Sequence, residues 1–214
     1  MNKGYSFVEA LIVAVILSAV LAAIFGIAYQ AQSSFDVERR FTETSQHARI
    51  ALDEITRYIR QAGNDPYPKE GTPFPAVTWI SSNEIEVRSD ITGSHDNITG
   101  DPDKKLDSPM EHVGIRYVGG QVQIRDYALD TGWEVLAENV TVPPGEKFFT
   151  CFDSAGNETT DSDKITSVAV AMTANSAAGV GGRVNSITYR SRVFIRSKTF
   201  DIFDYTPQQT GAEE

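Results

Sequence analysis

Cysteine is almost missing: the single Cys151 cannot form an internal disulfide, so no cystine framework holds the chain together. It sits in the run Phe148-Phe149-Thr150-Cys151-Phe152, where a buried, apolar thiol is expected. Basic side chains are in deficit, with 19 Lys and Arg against 29 Asp and Glu and a formal charge of -10. That sign opposes a surface built to neutralise phosphates, so nucleic acid is not expected as a direct partner. Histidine is scarce too: His47, His95 and His112 fall on a helix, a loop and a strand edge. No Gly-x-Ser-x-Gly, His-Glu-x-x-His or phosphate-binding glycine loop occurs, and the chain reads as a structural protein rather than an enzyme. Proline is absent before Pro66, which leaves a long stretch free to be helical. Apolar content is 41%, ordinary for a folded protein of 214 residues.

Against these absences stands one long apolar run. Ala10 to Tyr29 is twenty residues without a charge, and at about 1.5 Å of rise each it spans roughly 30 Å, the thickness of a bilayer core. A cleaved secretory signal is the simpler alternative, but its apolar region is shorter, about 7 to 15 residues, and ends in a small-residue cleavage box. Here the run passes into Tyr29-Gln30-Ala31-Gln32 with no such box. Glu9 stands at the N-terminal edge of the run. An ionised acid in a membrane helix costs on the order of 2.5 to 3.5 kcal/mol, so it needs a partner, a place at headgroup level or a helix N-terminus.

The leader Met1-Asn2-Lys3, then Gly4, then Tyr5-Ser6-Phe7-Val8-Glu9 running into Ala10-Leu11-Ile12-Val13, resembles the class III signal of type IV prepilins. The resemblance implies cleavage between Gly4 and Tyr5 by a prepilin peptidase and methylation of the new Tyr5 amine. It also implies that Glu9 pairs with the amine of a neighbouring subunit during assembly. Members most often carry Phe where this chain has Tyr5. Charge counting leaves orientation open, with Lys3 on one side and Arg39 and Arg40 on the other; the resemblance implies a cytoplasmic N-terminus.

Beyond the run the apolar pattern continues. Phe41, Ala48, Leu52, Ile55, Ile59 and Ala62 recur at spacings of seven, four, three, four and three, one face of a helix. Gly63-Asn64-Asp65-Pro66 is a stop signal. The expectation is one helix over residues 5–62, with a transmembrane part at about 7–29 and an amphipathic part beyond. Gly26 inside the apolar part suggests close helix packing or a flexible point. The stretch Gln46 to Gly63 is similar to the corresponding helix end in the PilW group of minor pilins and, more distantly, in GspJ-type pseudopilins.

From Thr72 onward the pattern alternates. Residues 84–88, 113–118, 121–125 and 186–196 read as half-buried strands, with further strands at 76–80, 147–152 and 164–172 and a Gly119-Gly120 hairpin turn. The fold class expected is α+β: a long N-terminal helix packed on an antiparallel sheet head over 63–214, as in pilins. Calcium is the one cofactor the sequence brings up, because Asp90, Thr92, Ser94, Asp96 and Asp101 fall near an EF-hand spacing. His95 stands where the turn glycine belongs and Asp101 where the bidentate glutamate belongs, so a solvated acidic loop is the simpler reading; Asp90, Asp96 and Asp101 are the candidate ligands. The sequons at Asn97, Asn139 and Asn157 are assigned no role, and residues 206–214 form a polar tail ending in Glu213-Glu214.

Taken with the resemblance, these features imply a minor pilin with residues 1–4 removed, held in the bacterial inner membrane with a periplasmic head. Its partners would be the prepilin peptidase, other minor pilins and the major pilin, and its role to prime a pilus, with capping of the tip a further one. A type II secretion pseudopilin, and a membrane-anchored, calcium-dependent adhesive protein, are the alternatives.

Overall fold

The computed structural model describes residues 7–65, 74–95, 98–100, 102–103, 105–176 and 184–199. One helix, α1 (Phe7–Gln61), runs unbroken for 55 residues. Its sequence is rich in Ala, Leu, Ile, Glu and Arg and free of proline, so nothing interrupts the backbone ladder. Gly63 ends it in the left-handed conformation at φ 70°. The Gly63 N–H donates to the Arg88 carbonyl at 2.7 Å, which turns the chain directly onto the sheet.

Eleven strands follow among the described residues: β1 (Val77–Ser81), β2 (Glu84–Arg88), β3 (Ser94–His95), β4 (Ile98–Thr99), β5 (His112–Val118), β6 (Gln121–Asp126), β7 (Glu134–Ala137), β8 (Val140–Thr141), β9 (Phe149–Phe152), β10 (Ser167–Asn175) and β11 (Ser186–Phe194). A short helix, α2 (Arg196–Thr199), closes the described chain. Every pairing is antiparallel. The strands divide into a five-stranded sheet in the order β1-β2-β5-β6-β7, a second sheet in which β10 pairs β11 on one side and β8 and β9 on the other, and the small β3-β4 ribbon. Gly119 and Gly120, at φ 59° and 83°, form the two-residue turn between β5 and β6. Both angles suit a type I′ turn, whose twist matches the flanking strands.

The architecture is therefore α+β, as the sequence leads one to expect, with α1 lying against β7, β10 and β11. Ala48, Ala51, Leu52, Ile55, Tyr58 and Ile59 are its buried side chains, and Ala62 just past its end is buried with them. They pack with Ile85, Ile115, Val122, Phe148, Phe149, Val168, Val170, Met172 and Ile195 into one core. Each fully buried Ile or Phe contributes about 1.5–3 kcal/mol relative to exposure.

Several strand limits differ from the alternation in the sequence. Residues 164–166 stay outside β10: Lys164 is held in a turn by the Asp161 carbonyl and carboxylate, and the Thr166 N–H and hydroxyl both donate to the Phe152 carbonyl. The strand expected to reach Arg196 ends at Phe194, because the chain coils into α2. The strand expected from Lys147 starts at Phe149. Strands β3, β4, β7 and β8, of two to four residues each, are too short to show an alternating pattern.

Candidate functional site

The apolar half of α1 is the surface that demands an explanation. Every residue from Phe7 to Gln32 is exposed, among them Leu11, Ile12, Val13, Ile16, Leu17, Val20, Ile24, Phe25 and Ile27. The most apolar stretch of this helix has no residue buried within the chain. Soluble monomers rarely show a contiguous apolar patch above about 300–600 Å². A helix this long and apolar can cross a membrane, and lipid or other apolar helices are the surroundings that would cover it.

Its few polar groups fit such surroundings. Ser18 is a mid-run hydroxyl, and it donates to the Val15 carbonyl at 2.9 Å, one turn back on its own helix. An internally bonded hydroxyl exposes no unmet donor to hydrocarbon. Glu9 lies in the first turn, where the positive end of the helix dipole favours a carboxylate. A β-carbon at Gly26 would meet nothing within 4 Å, so no contact within the chain requires glycine there.

The head grips only the other half. Ser45 Oγ and Tyr189 Oη are 2.7 Å apart, and the Tyr58 hydroxyl donates to Met110 Sδ at 3.3 Å. At the far end the Ser197 hydroxyl donates to the Ala62 carbonyl at 3.0 Å, and the Asn64 amide to the Asp90 carbonyl at 2.6 Å. Between the apolar run and the first fully buried residue, Ala48, the helix carries Asp36, Glu38, Arg39, Arg40 and Glu43 on exposed positions. Arg39 and Glu43 pair at 3.0 Å along it.

Of the residues the sequence singles out, Gly4, Tyr5, Asp96 and Asp101 lie outside the described residues, as do the leader 1–4 and the tail 206–214. Asp90 is fully buried, and its Oδ1 accepts the Asp103 N–H at 3.2 Å across the base of the acidic loop. Glu111 and Asp126 do similar work that the sequence does not announce. Fully buried Glu111 accepts the N–H groups of Ile91 and Thr92 on one oxygen and of Ser108 on the other, at 2.9–3.0 Å. Asp126 accepts those of Met110 at 2.8 Å and Ala128 at 2.9 Å. Such buried carboxylates replace water with backbone donors and so fix the loops. Among the described residues no three His, Cys, Asp or Glu side chains are gathered for a metal ion.

His112 belongs to a polar cluster on the outer face of the five-stranded sheet. Its Nε2 lies 3.1 Å from Glu86 Oε2, which also takes Arg88 Nη2 at 2.8 Å. Beside it, Tyr127 and Trp133 lie over Gly114, and the Arg116 guanidinium stacks 3.9 Å from the Trp133 ring centre. His47 lies elsewhere, on α1 beside the β7–β8 turn. Cys151 is buried, and burial pushes its thiol up to about 12. The buried Cys151 is thereby held as the neutral thiol.

No family model matches this sequence, and no curated protein or solved structure matches it.

Proposed function

We propose that the chain is a minor subunit of a type IV pilus, held in the inner membrane with its head on the periplasmic side and then drawn into a filament. The observation that carries this reading is the division of one continuous helix. Its first half is apolar and exposed, and its second half supplies a face of the head's core. A plain membrane anchor does not need that continuity, whereas a filament does, because the apolar half must leave lipid for a bundle of like helices while the head stays rigidly attached. The prepilin-like signal at Gly4 and Tyr5 and the acid at Glu9 support the same reading. The Tyr5 amine of a neighbouring subunit would neutralise Glu9 and offset the cost of carrying an acid into apolar surroundings.

Mass spectrometry of the protein from its native membrane tests this directly. The mature chain should lack Met1 to Gly4 and carry one added methyl group; an intact leader overturns the reading. Glu9→Ala should still insert in the membrane but enter filaments poorly, measured as its share of sheared pili. A pseudopilin of a type II secretion system shares the anatomy, and the resemblance of Gln46 to Gly63 to both groups supports it as the second reading. Deletion separates the two: loss of pili fits the first, and exoproteins trapped in the periplasm fit the second.

A further inference from the structure

The sheet edges of the head are not alike. β1 is five residues long with a register shift between Trp79 and Ser81, and β7 is four residues with a shift against β6. β8 and β9 are two and four residues. Short, bulged edges are how folded proteins prevent unwanted strand pairing. β11 breaks that pattern: its nine residues pair with β10 in unbroken register from Ser186↔Asn175 to Phe194↔Ser167. Among the described residues no strand pairs with its other side. It also exposes Ile187 at 39% and Phe194 at 60%.

The side chains along this edge say what would pair with it. Ile187, Tyr189, Ser191 and Val193 stand on the face that packs toward α1, opposite the buried Ala174, Met172, Val170 and Val168. Thr188, Arg190, Arg192 and Phe194 alternate onto the other face. Residues 186–196 hold three arginines and no acid, in a chain of net charge -10. Glu146 holds Arg190, at 3.0 and 3.1 Å. Arg192 instead donates to Ser167 Oγ at 3.1 Å and stacks 4.0 Å from the Phe152 ring centre, and neither it nor Arg196 forms an ion pair among the described residues. Two copies of β11 meeting antiparallel about Arg190 or Ser191 would set arginine against arginine, and like charges directly opposite are destabilising.

We propose that β11 is a docking edge for an extended acidic segment of another protein, which adds as a further strand, apolar residues toward α1 and carboxylates toward Arg190 and Arg192. The backbone of β11 supplies the hydrogen bonds, and the arginines select the acidic partner over a second β11. The pairing is independent of whether the chain polymerises.

The test uses the full chain in detergent micelles and a fluorescent nine-residue peptide of alternating glutamate and valine, with empty micelles as blank. Saturable binding is expected, weakened about tenfold by Arg192→Glu and less by Arg192→Gln. A lysine and valine peptide should bind at least about tenfold more weakly than the acidic one. N-methylation of every second peptide residue should abolish binding in one phase and leave it intact in the other, since alternate amides of a strand point to opposite sides. Equal effects of the two methylation patterns, equal binding of the lysine peptide, or no binding at millimolar peptide overturns the proposal. The methylated peptides use the unaltered protein, so a poorly folded variant cannot mask the result.

Discussion

Gly114 shows how a single missing methyl shapes a face of the head. A β-carbon there would lie 2.7 Å from Tyr127 Cε2 and 3.0 Å from Trp133 Cη2, inside contact distance of both rings. Glycine is present so that two aromatic rings can cover the strand. Gly114→Ala should therefore cost about 1–3 kcal/mol as the rings are forced aside, seen as a lower thermal midpoint and altered Trp133 fluorescence. Cys151 makes a pH-dependent contribution whose sign follows from its burial. Its thiol is raised to about 12 from an ordinary value of 9.0, so in mild alkali the unfolded chain ionises while the folded one does not. The stabilisation is complete below pH 9 and is lost as pH climbs from there toward 12. Denaturant titrations of the native chain should show stability falling over that window, and Cys151→Ala should flatten the fall. The buried, apolar thiol is legible from its phenylalanine neighbours, and Gly63 and the Gly119-Gly120 turn from local stop and hairpin chemistry. Glu111 is not legible: its three donors come from Ile91, Thr92 and Ser108, and only the folded loops bring them to one carboxylate.

At the scale of elements, α1 is read correctly because a 3.6-residue period over many turns accumulates signal, and because no proline or cap interrupts it. Of its predicted inner face, Ala48, Leu52, Ile55, Ile59 and Ala62 are buried, and Phe41 is half-buried where the helix begins to leave the head. Tyr58 and Ala51 join that face as flanking positions that a strict stripe omits. The short strands escape detection for the converse reason: β8 is two residues, and its place is set by pairing with Thr173 and Ala174 rather than by its own pattern. The two halves of α1 should respond oppositely to one kind of change. Ile55 is fully buried, so Ile55→Ala should cost about 2–5 kcal/mol through lost contacts and a residual cavity. Leu17 is 56% exposed and lies outside the buried core, so Leu17→Ala should leave the unfolding midpoint of the head unchanged. Chemical denaturation of both variants in the same detergent makes the comparison, and equal losses would mean that the apolar half is coupled to head stability.

For the whole molecule, the sequence foretells a helix laid on a sheet but not how the strands divide into two sheets with α1 against both. That division depends on long-range pairing: β10 serves β8, β9 and β11 at once, a choice no local pattern encodes. The consequence is a head whose core draws on α1 only from Ala48 onward. The exposed half contributes nothing to that core and carries an apolar surface long enough to cross a membrane. A chain beginning at Ser33 should accordingly be soluble without detergent and unfold in one cooperative transition, its midpoint matching that of the head in the full chain. The full chain should instead stay with membranes through alkaline carbonate washing, as a spanning helix does and a peripheral protein does not. Differential scanning calorimetry of the shortened chain and fractionation of the long one measure the two halves separately. If the shortened chain melts broadly or aggregates, the apolar half is helping to fold the head, and the separation of duties along α1 is wrong.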